Sequence, residues 1–232
     1  AEENLPTLSL DIATSAGSAV LLDASGTSPR VLWEQNADKR RGPASTTKVM
    51  TALVAAEKMP LSAKITVPKE AVGIEGSSVY LTEGEVFTLE ELLCCTLLES
   101  ANDAATAVAI AVGGSIEGFA ELMNEKCAEL GLVDTHFTNP HGLDHEEHYT
   151  TARELGIIAA TALENEALRK IFSTYKMTVA APEGGVRLLI NHNRLLKSIE
   201  GTAMFMGSLM KHKIFKRNFF SKIGYLLCKP GV

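Results

Sequence analysis

Ser45 and Lys48 stand three residues apart in PASTTKVMTALVAAEK, Pro43 to Lys58. Positions i and i+3 of a helix share a face, so the hydroxyl and the amine are neighbours. A helix start carries partial positive charge, which favours a developing alkoxide and disfavours a cation beside it. Burial also penalises the ammonium form of a lysine. A neutral amine next to a serine can take its proton, which makes an activated nucleophile with its base. The competing reading is a serine helix cap beside a solvated lysine. A second polar interruption is Ser100-Ala101-Asn102, within ESAND, Glu99 to Asp103. It lies between two apolar helical patterns, on a loop or helix end, where capping is again the alternative.

S-x-x-K alone is a weak signal, since Ser173/Lys176 and Ser208/Lys211 match it too. Ser45 differs in opening a long apolar helix directly after a loop. That helix runs from Thr46 to about Lys58, and its apolar residues wrap widely, as in a buried helix. SAVLLDASG and RVLWEQN read as two strands around a turn. The stretch from Lys64 to Gly84 is mixed and turn-rich. Thr88 with Glu91 makes a capping box ahead of the stripe Leu89, Leu92, Leu93 and Leu97. AATAVAIAV is a second apolar helix that stops at Gly113-Gly114, and Ser115 starts a third, ending before Gly131. Thr151 with Glu154 repeats the capping box and opens a fourth. Met177 to Ala181 and Val186 to Ile190 form a hairpin. The expected fold is α/β: an antiparallel sheet assembled from both ends of the chain, flanked by helices, with an all-helical insertion. The expected division is 1–65 with 171–200, an insertion over 66–170, and an atypical basic tail over 201–232.

The 232 residues are enough for a proper core, and 46% hydrophobic with 22% charged is ordinary for a globular chain. No apolar run approaches the ~18–20 residues of a membrane span. AEENLP at the start suits a chain after signal removal, and no signal peptide is visible. Net charge is −6, yet from Gly201 onward there are six basic residues and no acidic one. The acidic body argues against nucleic acid as partner. The basic tail could touch an anionic membrane surface from outside. Cys94, Cys95, Cys127 and Cys228 lack paired zinc spacing and read as buried free thiols. His145-Glu146-Glu147-His148 places its histidines three apart, which misses the helix-face spacing of H-E-x-x-H, so no metal site is expected there.

S-x-x-K followed by an S-x-N element is a known set in serine acyltransferases. PASTTKVMTAL, LLESANDAA, FTNPHGLDHEEHYTTAREL and the NRLL of NHNRLL resemble the low-molecular-weight penicillin-binding proteins, the serine D-Ala-D-Ala carboxypeptidases. The resemblance runs from about Ser18 to Lys197. It implies a β-lactamase/transpeptidase-like fold outside the cytoplasm, acting on peptidoglycan stem peptides, with β-lactams as covalent inhibitors and no metal or organic cofactor. It implies that Ser45 attacks the penultimate D-alanine carbonyl and Lys48 is the general base. Ser100 would relay protons to the leaving group, and Asn102 would hydrogen-bond the substrate backbone and help place Lys48.

The family's K-T-G element is absent, and at its usual spacing Met206 stands near the lysine position. Lys229-Pro230-Gly231 comes too late, and a proline does not serve within a central strand. The abrupt basic and aromatic change reads as a truncation or frame change, or as an unusual natural end. The C-terminal sheet strands are therefore expected to be incomplete and the carboxypeptidase impaired. Two alternatives are a non-catalytic cell-wall-binding protein and a β-lactamase, the latter lacking an evident deacylating base.

Overall fold

In the computed structural model, residues 18–23, 29–193 and 196 are described, with the backbone of two later strands, Ala203–Gly207 and Ile223–Leu227. Cys228, the Ser208/Lys211 pair and Lys229-Pro230-Gly231 lie outside the described residues. The axis of the fold is helix α1 (Thr47–Lys58), buried without a break from Thr47 to Ala55. A helix apolar on all sides must be surrounded. Here α2 (Leu89–Leu98), α3 (Asn102–Gly113), α4 (Ile116–Glu129) and α5 (Ala152–Glu164) all pack on it. Cys94, Cys95 and Cys127 are buried free thiols within this core. Among the described residues, no single helix is long and apolar enough to cross a membrane.

Strands β1 (Ala19–Asp23) and β2 (Arg30–Gln35) form the expected hairpin, with a register shift between Leu21 and Leu22. Helix α5 covers β1 on one side. The mixed stretch holds a short ladder the sequence did not reveal: β3 (Lys64–Thr66) pairs with β4 (Val86–Thr88). After α6 (Glu166–Ser173), β5 (Lys176–Ala180) and β6 (Val186–Ile190) make the second expected hairpin. The last two strands, β7 (Ala203–Gly207) and β8 (Ile223–Leu227), pair antiparallel. β8 lies against β1, and β7 beside the turn that carries Ser45. The described strands form four separate two-stranded antiparallel sheets rather than the single sheet expected, and the contact of β8 with β1 sets a late hairpin beside an early one without a shared ladder.

Local chemistry explains most boundaries. Thr88 accepts from the Glu91 N–H, and Glu91 returns the bond to the Thr88 N–H, a full capping box. At Thr151 half of the expected box forms. The hydroxyl accepts from the Glu154 N–H, but the Glu154 carboxylate accepts instead from the N–H groups of Val133 and Asp134 and the Thr135 hydroxyl. The fourth expected helix is in fact two, because the Asn165 side chain accepts from the N–H groups of Ala167 and Leu168 and starts α6 afresh.

Arg187 joins the second hairpin to the loop before β4. It pairs with Glu85 at 2.8 Å and donates to the carbonyls of Val79 and Tyr80. Both partners are largely buried, so removing one strands the other without a counter-charge. Arg187→Ala is expected to cost about 3 kcal/mol of stability, measured by urea denaturation. Adding Glu85→Ala should cost far less than a second full loss, the signature of a coupled pair.

Candidate active site

Ser45 sits in a single 3-10 turn, Ala44–Thr46, directly before α1. Neither this turn nor α1 has a side-chain cap, and the Thr46 hydroxyl donates to the Pro43 carbonyl at 2.6 Å. The capping alternative therefore does not hold at Ser45. Ala44 before it has φ +49°, a left-handed conformation that costs a non-glycine residue about 1–2 kcal/mol. Such strain clusters where surroundings over-determine a functional geometry.

Lys48 Nζ lies 3.3 Å from Ser45 Oγ and donates to the His141 carbonyl at 2.8 Å. The residue is 1% exposed. Burial pulls its amine down to about 7, while the carboxylate of Asp103 pulls in the opposite direction. Both protonation states are thus accessible near neutrality.

The His141 carbonyl is held by its own turn. Asn139 Oδ1 accepts from the Gly142 N–H at 2.7 Å, and its amide donates to the Leu143 carbonyl at 2.9 Å. Thr51 of α1 donates to the Pro140 carbonyl at 2.6 Å. Gly142, at φ +88°, presses against the turn of the nucleophile so closely that an added Cβ would meet the Ala44 oxygen at 1.8 Å. Nearby, His148 Nδ1 accepts from the Thr138 N–H at 3.0 Å. A backbone N–H can donate but not accept, so the neutral ring carries its proton on Nε2 and donates to Thr47 Oγ1 at 2.8 Å. Burial pushes His148 and His141 down to about 4, which keeps both rings neutral at ordinary pH. These histidines therefore serve packing and hydrogen bonding around α1. Among the described residues, no three metal-ligating side chains converge.

Ser100 faces the same cavity as Ser45 and Lys48, about 60 Å³ in volume. It too is left-handed, at φ +57°. Asn102, the first residue of α3, is 5% exposed and does not line this cavity. Its amide donates to the Glu75 carbonyl at 2.5 Å, across Gly76, where an added Cβ would come within 2.7 Å of that amide. Asp103 carries more of the local architecture than its place in ESAND suggested. Its carboxylate accepts from the Ser78 hydroxyl at 2.6 Å and from the N–H groups of Leu81, Ala104 and Val79. The structure thus brings Ser45, Lys48 and Ser100 to one cavity, and Asn102 is not among its lining residues.

A family model described as D-alanyl-D-alanine carboxypeptidase matches residues 5–203. The chain belongs to this family of S11 peptidases. The D-alanyl-D-alanine carboxypeptidase DacF of Bacillus subtilis is 37% identical over 196 residues, covering 82% of this chain and 50% of that protein. A D-alanyl-D-alanine carboxypeptidase of Streptomyces sp. strain K15 is 34% identical over 187 residues, covering 73% and 64%. Among solved structures, a serine-to-alanine mutant of the Streptomyces K15 DD-transpeptidase superposes with TM-score 0.78 at 29% identity, covering 85% of this chain and 82% of that one. Penicillin binding protein 6B of Escherichia coli gives 0.77 at 27%, covering 89% and 67%. The chain spans about half the length of DacF and less of several other curated relatives. As an S11 family member it has the penicillin-binding-protein fold, and its resemblance to that fold was legible in PASTTK and ESAND.

Sequence reasoning missed four contributors: Asp103, Asn139, Gly142 and the wall from Asn191 to Asn193. The Asn139-Pro140 turn signal followed by glycine could have pointed to the second and third. Two outcomes follow from the buried amine and its glycine support. Lys48 sits near 7 when folded and near ~10.4 when unfolded. Between those values the unfolded chain binds more protons, so this group makes stability rise with pH across that window. Lys48→Met should remove that contribution, seen as a smaller gain in melting temperature between pH 7 and pH 9.5 than in the parent. Gly142→Ala combines left-handed strain with a backbone collision and should cost about 3 kcal/mol or more, read by denaturant unfolding.

Proposed function

We propose that this chain is a serine D-Ala-D-Ala carboxypeptidase that trims peptidoglycan stem peptides outside the cytoplasm through an acyl-enzyme on Ser45. The observation that carries this reading is the 3.3 Å contact between Ser45 Oγ and a lysine amine that burial holds at about 7. A neutral Lys48 accepts the serine proton as the oxygen attacks the carbonyl of the penultimate D-alanine. The carbonyl oxygen becomes an oxyanion, and the N–H of Ser45, in the turn before α1, donates to it. Ser100, on the same cavity, passes a proton to the departing D-alanine amine while taking up the one that Lys48 received from Ser45, so both side chains return to their starting forms. Asn102 supports the substrate backbone through the loop it ties at Glu75. Water then cleaves the Ser45 ester and restores the hydroxyl. A β-lactam presents a strained amide to the same nucleophile and acylates it in the same way.

The non-catalytic alternative has less support, because a buried amine destabilises the fold and has no evident use in a passive binder. The strand beside the Ser45 turn carries Met206 where the family spacing puts a lysine. That residue type cannot hold the substrate's terminal carboxylate by charge, so peptide turnover should be weak relative to acylation. Membrane contact through the basic segment is a further element of the proposal.

Labelling with a fluorescent penicillin tests the reading. The parent should label, and Ser45→Ala should not. The labelling rate should rise about tenfold from pH 6 to pH 8 as Lys48 loses its proton, a span set by one group titrating near 7. Labelling that survives Ser45→Ala would place the nucleophile elsewhere.

A further inference from the structure

The cavity has a second wall that the steps above leave unused. Asn191, His192 and Asn193 line it together with Ser45, Lys48 and Ser100. This turn is pinned. The Asn191 N–H donates to the Tyr175 carbonyl at 2.8 Å, and its amide donates to the carbonyls of Phe172 and Thr174 at 3.2 and 3.1 Å. The Asn193 N–H donates to Asn191 Oδ1 at 2.9 Å.

His192 Nε2 lies 3.4 Å from Glu99 Oε2. Glu99 is itself held, since its Oε1 accepts the Ile190 N–H at 2.5 Å. The imidazole is 67% exposed, and its Nδ1 has no hydrogen-bond partner among the described residues. A carboxylate on one imidazole nitrogen orients the ring and fixes which nitrogen carries the proton, leaving the other as an acceptor. Lys48 and His192 are the two titratable side chains among the described residues lining this cavity. Lys48 is enclosed, with its amine against Ser45 and the His141 carbonyl, whereas His192 stands on the open wall. A volume of about 60 Å³ leaves room for more than one water.

We infer that His192, oriented by Glu99, is the base that activates the water for deacylation. The inference rests on acylation at Ser45. The water oxygen bonds to the ester carbonyl carbon while its proton passes to His192 Nδ1. The tetrahedral intermediate then collapses and the bond from that carbon to Ser45 Oγ breaks. The proton on His192 is delivered to the departing serine oxygen, directly or through the second water, and the product leaves as a carboxylic acid. One water is consumed, and the imidazole returns to its neutral form. An imidazole suits this task because one ring nitrogen accepts a proton while the other stays bonded to its orienting partner.

Intact-protein mass spectrometry separates the two half-reactions. Each protein is saturated with benzylpenicillin, excess drug is destroyed with an added penicillinase, and the adduct is followed in time. His192→Gln should acylate within about twofold of the parent and lose the adduct at least about tenfold more slowly, within the range of general-base catalysis. Glu99→Gln keeps an acceptor for the Ile190 N–H and should fall between the two. His145→Gln, outside this cavity, should match the parent. Thermal melts of all variants exclude unfolding as the cause. Unchanged decay in His192→Gln, or acylation and decay falling together, would overturn the inference. A parent that forms no adduct, like Ser45→Ala, would overturn the acyl-enzyme reading itself and this inference with it.

Discussion

Burial of the Lys48 amine is the constraint to which the rest of the site answers. A charged lysine at 1% exposure is costly unless it is paired or neutral. The fold offers it one serine oxygen and one carbonyl, with a carboxylate farther off. That set satisfies the amine without locking it as an ammonium. A direct ion pair with Asp103 would have raised its pKa and held it as an ammonium. Asp103 instead commits its oxygens to the Ser78 hydroxyl and to backbone N–H groups, so its field reaches Lys48 without its bonds doing so.

This arrangement needs several distant segments at once. The turn before α1 supplies the serine and α1 the lysine, but the carbonyl that holds the lysine comes from a turn 93 residues later. Asn139 shapes that turn, and Gly142 lets it approach the Ala44 carbonyl. The left-handed φ of Ala44 follows from the contact and the geometry together: the backbone must turn sharply to place Ser45 ahead of α1 and still clear Gly142. Ser100 carries the same kind of strain on the facing wall. Two cavity hydroxyls are thus held by backbone conformations that the flanking helices, buried and closely packed, keep in place.

What the sequence made legible was local. The 3.6-residue period showed the helices, Thr88 with Glu91 showed a cap, and the i, i+3 spacing put Ser45 beside Lys48. What it hid was long-range or conformational. Glu154 looked like a capping-box partner, yet burial against Val133, Asp134 and Thr135 redirects its carboxylate. Asn165 interrupts one helix to cap another, and asparagine has no pattern that separates that use from a surface position. Strain at Ala44 and Ser100 has no residue signature, since neither is glycine or asparagine. The charge at Glu99 read as part of a motif, and its partner His192 carried no signal of its own. Their contact joins an α2 cap to the turn after β6, which no spacing rule links.

Glu99 gives that contact its mechanical meaning. It is the C-cap residue of α2 and the residue directly before Ser100, so its backbone leads into the strained turn of one wall while its carboxylate holds the other. Any shift of the second hairpin that moved Ile190 would pull on Glu99 and, through it, on Ser100. Arg187 limits such shifts by tying β6 to the loop that Asp103 organises. The two walls are therefore not independent. Asp103 and Glu99, four residues apart in ESAND, anchor the opposite wall of the cavity through separate routes, one by backbone hydrogen bonds and one by charge. The spacing between Ser45 and whatever occupies the far wall is set by this short acidic stretch as much as by α1.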